Sequence, residues 1–372
     1  MKQPNINLYY NIIEKIFKLE YITFEDLKVV PEFEACIGSP ENQKWHFEGT
    51  TDKHIQLVID AVYKFINEHP NLPKNYKIAL YMTAIFHDFR KPQCLEKDAE
   101  GIYHNPNHEQ EASRLLFDFI KKSEYVKDLY DKNIVILASK MILWHMLKSP
   151  RKWYGVNFGY LVGCFEINEL ELLINFHRLD DSGQINDQPK ISDDDLYDNI
   201  SLAVQKKYQH FNYYPERNDI KLWVLVGPPG CGKSTYAEKL VKEHENTVIV
   251  STDDIRKEIF NSEEIQKKGK KGGSTIWGEA YQRMENLLSF EKKNVIFNAT
   301  CINYQMRQNL ISKAQKRKIP IHIIYFLTDL ETCLKNNKSR KRQVPEDILI
   351  SIYKNIQIPS YLEGNIIEFI DF

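Results

Sequence analysis

Leu222-Trp-Val-Leu-Val226, Gly227-Pro-Pro-Gly-Cys-Gly232 and Lys233-Ser234-Thr235 follow one another without a break. The apolar run reads as a short strand, the glycine-rich hexapeptide as a turn, and Lys233–His244 as a helix. GxxxxGK[ST] in a strand–turn–helix setting is a strong phosphate-loop signal. Gly227, Gly230 and Gly232 let the backbone curl until its N–H groups face inward, and the helix N-terminus adds partial positive charge. Lys233 is placed to reach β- and γ-phosphates, Ser234 to ligate magnesium, and Thr235 completes the helix start. The expected cofactor is ATP or another NTP with Mg2+.

Working outward, Thr247–Ser251, Asn294–Phe297 and Ile319–Leu327 are further apolar strands, with helix-patterned segments between them. Strand–helix alternation predicts a parallel sheet covered by helices. Thr252-Asp253-Asp254-Ile255-Arg256 lies just past the second strand, where ligands bind in such sheets. A carboxylate at Asp253 can take the proton of an attacking hydroxyl. Arg256, one helical turn on, can hold a phosphate in a bidentate grip. A helix cap is the competing role for Asp253. Further on, Asn337-Lys-Ser-Arg340-Lys-Arg342 precedes Val344-Pro345. Arg340, with Arg342 as rival, can close over the triphosphate and offset transition-state charge; a solvated basic face is the plainer alternative.

The first 180 or so residues read differently. Apolar residues recur at helical spacing over Ile55–Ile66, Ile78–Phe86, Ile134–Leu147 and Leu170–Leu179, with no alternating β-runs. Eight of the 11 histidines fall between 46 and 177. His87 and Asp88 are adjacent at the end of one apolar helix, and imidazole plus carboxylate suits Mn, Co, Ni, Fe or Zn. His54 opens an earlier helix, and Asp180 precedes Gly183 near the end of the fourth stretch. His108 and His145 lie between, with His104 and His177 as lesser candidates. Taken singly, each histidine is more often a hydrogen-bonded structural residue than a ligand. His46 reads as a substrate contact or a structural residue; Arg90 and Lys91 can bind a non-bridging phosphate oxygen, with a surface role as the plainer reading.

The whole chain has 372 residues, 42% apolar and 27% charged, which suits two soluble domains. Residues 1–220 carry 26 Lys/Arg against 33 Asp/Glu, and residues 221–372 carry 24 against 18. The basic C-terminal part points to an anionic partner, with two differently composed solvated surfaces as the alternative. Six scattered cysteines form no CxxC pair and fit a reducing, cytoplasmic setting. The N-terminus lacks a signal-peptide core, and no run is long and apolar enough for a membrane span. Asp193-Asp-Asp195 and Asn212–Asp219 read as boundary material around a helix at Leu196–His210. Lys267–Lys271 before Gly272-Gly273 reads as an exposed loop.

Residues 221–358 resemble the 5′-hydroxyl polynucleotide kinase family, on GPPGCGKST, on Asp253–Arg256, and on Asn337-x-x-Arg340 before Val344-Pro345. That resemblance implies Asp253 activating the acceptor hydroxyl, Arg256 on the acceptor phosphate, and Arg340 on the donor phosphates. Asn298, where relatives carry an acidic residue, is left out of the site. Residues 45–190 resemble the HD phosphohydrolase superfamily, on the ordered set His54, His87-Asp88 and Asp180. The resemblance implies one or two divalent transition metals on those residues, with His108 and His145 as added ligands of two-metal members. The expected organisation is α + α/β: an all-α HD-type domain over 1–190, a connecting segment over 191–218, and a P-loop kinase domain with a parallel sheet over 219–372.

The order of the two modules is similar to that of bacterial bifunctional HD-domain polynucleotide kinases. It implies RNA end healing: an NTP phosphorylates a 5′-OH, and the HD module removes a 2′,3′-cyclic phosphate or a 2′- or 3′-phosphate. RNA ends, with DNA ends as the alternative, are the implied substrate, and an RNA ligase a potential partner. Two other classes stay open. One is a nucleotidase fused to a nucleoside or metabolite kinase; the other is an HD hydrolase gated by a nucleotide-binding module.

Overall fold

In the computed structural model, the helix Lys74–Phe86 buries every residue from Ile78 to Phe86. A helix apolar on all sides can only be stable at the centre of a bundle. The structure describes residues 6–122, 131–147, 158–187, 189–210, 219–260, 269–340, 342–359, 363–364 and 366–370. The chain divides into two compact units, Met1–Lys207 and Tyr208–Phe372.

The first unit is helical. Its main helices are α1 (Ile6–Lys18), α2 (Thr51–Glu68), α3 (Lys74–Phe86), α4 (His108–Lys122), α5 (Lys132–Trp144), α6 (Ile167–Gly183) and α7 (Asp193–His210). The central α3 packs against α2, α5 and α6, while α4 packs on α5 and α2 on α6. Ile55, Val58, Ile59 and Val62 form the buried stripe of α2. Gly183 explains how closely α6 lies on α2: a Cβ there would sit 2.8 Å from Val58 Cγ2. A short hairpin, Glu96–Lys97 with Tyr103–His104, and an isolated antiparallel bridge between Pro40 and Thr50 depart from helix. The hairpin is too short to leave an alternating pattern in the sequence. The unit boundary falls inside α7, so most of that helix belongs to the first unit.

The second unit is a five-stranded, all-parallel sheet. Its elements run β1 (Leu222–Val226), α8 (Lys233–Glu243), β2 (Thr247–Ser251), α9 (Thr252–Phe260), α10 (Gly269–Asn286), β3 (Asn294–Asn298), α11 (Tyr304–Gln315), β4 (Ile321–Phe326), α12 (Leu330–Ser339), α13 (Glu346–Lys354) and β5 (Ile366–Ile370). The strand order is β2-β3-β1-β4-β5. β1 is buried at every residue, as a central parallel strand must be. Its C-terminal end delivers the phosphate loop, and the C-terminal ends of β2 and β3 deliver Thr252 and Asn298 beside it.

Two readings need correction. The basic stretch at Lys267–Lys271 is not a loop throughout, because α10 begins at Gly269; Lys267, like Asn212 to Asn218, lies outside the described residues. Glycine disfavours helix by only about 1 kcal/mol per residue, which tertiary context overrides. Lys91 is not a surface residue: it is 5% exposed and ion-paired to Glu41 and Asp88. Among the described residues no helix is long and apolar enough to cross a membrane.

Candidate active sites

Three histidines in the first unit sit at helix ends, and each gives its Nδ1 proton to a carbonyl three residues upstream. His87 follows α3 and donates to the Ala84 carbonyl at 3.0 Å. His145 follows α5 and donates to the Ile142 carbonyl at 2.7 Å. His108 opens α4 and donates to the Asn105 carbonyl at 2.6 Å. In the neutral ring the lone pair is then on Nε2, the atom a metal binds. All three Nε2 atoms point into one buried space around Asp88.

Asp88 divides that space. Its Oδ2 lies 3.2 Å from His87 Nε2 and 3.5 Å from His54 Nε2. Its Oδ1 lies 3.2 Å from His108 Nε2 and 3.5 Å from His145 Nε2. Asp180, held by α6 against α2, reaches His54 Nε2 at 3.0 Å and His87 Nε2 at 3.7 Å. The two ring pairs, His54 with His87 and His108 with His145, have Nε2 separations of 3.4 and 3.2 Å. Two imidazoles on one ion at about 2.1 Å, at a tetrahedral angle, hold their nitrogens roughly 3.4 Å apart.

His54, His87 and Asp88 form one group of ligand atoms that could hold a metal ion, and Asp88, His108 and His145 form another. Asp88 Oδ2 lies 2.8 Å from the Lys91 ammonium, whereas Oδ1, fully buried, has no well-aligned hydrogen bond. Buried acceptors without donors are costly unless something else satisfies them, and a cation does. Burial raises the Asp88 carboxyl, but the His87 and Lys91 charges and the His108 and His145 contacts together hold it well below the usual range. Burial lowers His54, yet Asp180 and Glu48 outweigh it and hold the imidazole up at about 9.

Around this cluster lies a shell that the sequence did not reveal. Glu48 Oε1 lies 3.2 Å from His54 Nδ1 and accepts from His46 Nδ1 at 2.6 Å. His46 is thus joined to the cluster through Glu48. Lys91 is clamped by both oxygens of Glu41 at 2.9 Å and reaches Asp88 at 2.8 Å. Acidic residues at 41 and 48 precede His54 with no motif spacing, so only folding brings them in. Of the lesser candidates, His104 is exposed and bonded to Asp98, and His177 contacts the Trp144 carbonyl. Neither is among the grouped ligand atoms.

In the second unit, Gly230 and Gly232 have φ of +84° and +95°, the left-handed region open to glycine. A Cβ on Gly230 would stand 2.4 Å from the Cys333 carbonyl oxygen, and one on Gly227 2.5 Å from Cys231 Sγ. No side chain caps α8, so its first N–H groups stay available to an anion. Lys233 Nζ lies across the loop, donating to the Gly227 and Pro228 carbonyls at 2.8 and 2.7 Å. Ser234 Oγ accepts from Asn298 Nδ2 at 3.2 Å. Asn298, left out of the site on sequence grounds, is therefore beside the residue expected to bind magnesium. The parallel register of β1 and β3 puts it there.

Asp253 occupies the first turn of α9, but it does not cap it. The cap is Ser251, whose Oγ accepts from the Asp254 N–H at 3.2 Å. The Asp253 carboxylate is instead ringed by three guanidinium groups: Arg256, Arg342 at 2.8 Å and Arg340 at 3.3 Å. Burial raises its carboxyl, and the charges of Arg256, Arg342 and Arg340 outweigh that and lower it. Both lid arginines reach the same carboxylate, so neither displaces the other. Asn337 sets their loop: its side chain donates to the Val344 carbonyl at 2.8 Å and accepts from the Val344 N–H at 3.0 Å. Lys233, Ser234, Asp253, Asn298 and the three arginines share one cleft of about 560 Å³.

Comparison with known proteins bears on the second unit. A family described as AAA domain matches residues 222–357. L-seryl-tRNA(Sec) kinase of Methanococcus maripaludis is 25% identical over 150 residues, 37% of this chain and 53% of the relative. The chain thus spans about half the length of that curated relative. Two solved structures are similar over part of the chain. One, described as the structure of a Pnkp1/Rnl/Hen1 complex, is 26% identical with a TM-score of 0.29, covering 36% of this chain and 42% of that one. The other, of the Pnkp1/Rnl/Hen1 RNA repair complex, is 21% identical with a TM-score of 0.33, covering 41% and 51%. A helical region followed by a P-loop α/β domain similar to a kinase is the architecture on which function must be built.

Proposed function

We propose that the chain is a bifunctional enzyme that heals RNA ends, with a 5′-hydroxyl kinase in the second unit and a metal-dependent phosphohydrolase in the first. The kinase half is carried by one observation: a phosphate loop and an arginine-ringed carboxylate face the same cleft. An arginine beside that carboxylate, able to hold an acceptor's own phosphate, suits a phosphorylated acceptor better than a bare water. Asp253 accepts the proton of the attacking hydroxyl, Arg256 holds the acceptor's phosphate, and Lys233 with Arg340 and Arg342 neutralises the transferring phosphoryl group. Similarity to a kinase named for L-seryl-tRNA(Sec) favours an RNA-borne hydroxyl over a free metabolite.

The phosphohydrolase half is carried by the inward convergence of His54, His87, His108 and His145 on Asp88. A divalent ion held there supplies Lewis-acid and water-activating chemistry. The chain's own residues orient it: Glu48 fixes the His54 ring, backbone carbonyls fix the other three, and Lys91 offsets the charge of Asp88. The expected substrates are 2′,3′-cyclic phosphate and 2′- or 3′-phosphate ends.

The deciding experiment incubates RNA bearing a 5′-OH and a 2′,3′-cyclic phosphate with NTP and Mn2+, Co2+, Ni2+, Fe2+ or Zn2+ in turn. Both ends are then mapped. A 5′-phosphate with an intact 3′ end would leave only the kinase, and phosphorylation of free nucleosides in preference to RNA would favour a metabolite enzyme.

A further inference from the structure

Trp45 stands on the wall of the cavity that contains Asp88, with 48% of its surface exposed. A single exposed apolar side chain is ordinary, but Trp45 and the half-exposed Met146 line one cavity beside a buried charge cluster. The Trp45 backbone is held in place. The Trp45 carbonyl accepts from Asn186 Nδ2 at 2.6 Å, and the Phe47 N–H donates to the Ile185 carbonyl at 2.7 Å. The Ile185 N–H in turn donates to Glu48 at 3.0 Å. The segment that presents the indole is thus tied to the chain just beyond Asp180, and it carries His46 and Glu48 of the inner shell.

The cavity measures about 640 Å³, within the range of about 300–1,000 Å³ usual for organic ligands and far more than a bare phosphate fills. Met146, next to His145, is also half exposed on its lining, together with Tyr103 and the amides of Asn42 and Gln184. Aromatic and thioether faces with a few amides match a nucleobase, which has flat apolar faces and polar edges. They do not match the alkyl group of a simple phosphate ester.

We propose that Trp45 is the platform on which the base of a nucleotide stacks while its phosphate lies against the Asp88 cluster. This rests on the phosphohydrolase reading of that cluster and assigns a residue to the base that carries the phosphate.

The test compares Mn2+-loaded full-length wild type, Trp45→Ala and Trp45→Phe on 3′-CMP and on glycerol 2-phosphate, which lacks a base. Trp45→Ala should raise the KM for 3′-CMP on the order of tenfold. It should leave kcat and glycerol 2-phosphate hydrolysis near wild type, and Trp45→Phe should restore most of the loss. An unchanged KM, or equal losses on both substrates, overturns the platform. If the wild type hydrolyses neither compound, equilibrium dialysis with the P-loop saturated by MgADP decides. Weaker 3′-CMP binding by Trp45→Ala then upholds the platform while the hydrolase reading falls; equal binding overturns the platform. A short RNA ending in a 3′-phosphate, run beside 3′-CMP, distinguishes a strand end from a free nucleotide as the source of the base.

Discussion

His108 Nε2 and His145 Nε2 lie 3.2 Å apart although both rings have given their Nδ1 protons to backbone carbonyls. Two lone pairs held that close repel unless a proton or a metal ion lies between them, and the ion satisfies both rings at once. His145→Ala should therefore remove one ion per chain and His54→Ala the other, while Asp88→Ala, which lies between the two pairs, should remove both. Elemental analysis of purified protein measures this directly. Full metal content in Asp88→Ala would refute the bridging arrangement.

Lys233→Ala should abolish 5′-phosphorylation, by at least about 10²- to 10³-fold, because it removes the charged donor expected to neutralise the transferring phosphate. It should leave 3′-end phosphatase activity within about twofold, since the residues of the two sites do not overlap. Phosphatase loss in Lys233→Ala protein whose far-UV circular dichroism is unchanged would show that the two sites depend on each other.

Asp253→Asn should lower kcat by about 10²- to 10⁴-fold with little change in NTP affinity, the mark of a lost general base. The pH dependence follows from its arginines. Arg256, Arg342 and Arg340 depress the carboxyl, so the base stays ionised below the ordinary aspartate value of about 3.9. The kinase should show no acid limb from this group between about pH 5 and 7. Arg342→Ala removes one charge, raises the carboxyl and should move the acid limb upward in pH. The stability that goes with the depression is present at neutral pH and lost as pH falls through the folded value. A limb that moves downward in Arg342→Ala would contradict the ion pairing.

What the sequence disclosed follows from how local each signal is. The phosphate loop is contiguous, and strand, turn and helix around Gly227–Ser234 were all readable because one short segment carries them. The four apolar helices were readable from their period, and with them His87 and Asp88. Residues brought in only by tertiary contact were not. Glu48 reaches His54 through the fold of an irregular loop, and Lys91 looks like any surface lysine until Glu41 closes on it. An amide at 298 is by residue type a poor substitute for a carboxylate, yet β1–β3 pairing places Asn298 on Ser234. β5 was missed because Ile366-Ile-Glu-Phe-Ile370 is a half-exposed edge strand without clean alternation. Only the start of the helix at Gly269–Asn286 is hidden, by the glycines at 269, 272 and 273.

Gly183 offers a test of how the first unit positions its site from outside it. Its missing Cβ lets α6 lie on α2 so closely that an added methyl would stand 2.8 Å from Val58 Cγ2 and 3.2 Å from the Val58 nitrogen. Gly183→Ala must push the two helices apart, at an expected cost of about 1–3 kcal/mol for overpacking. Asp180 is on α6 and His54 on α2, so the same displacement lengthens their 3.0 Å contact. We therefore expect at least a tenfold loss of phosphatase activity, weaker metal retention and full kinase activity. Removing Val58 Cγ2 frees the space the new methyl needs, so Val58→Ala combined with Gly183→Ala should recover part of both phosphatase activity and metal. The Val58 nitrogen still crowds the site, so recovery should stay incomplete. If Gly183→Ala alone retains full activity and metal, the α2–α6 approach does not position Asp180, and the ligand set must be held by the remaining helices.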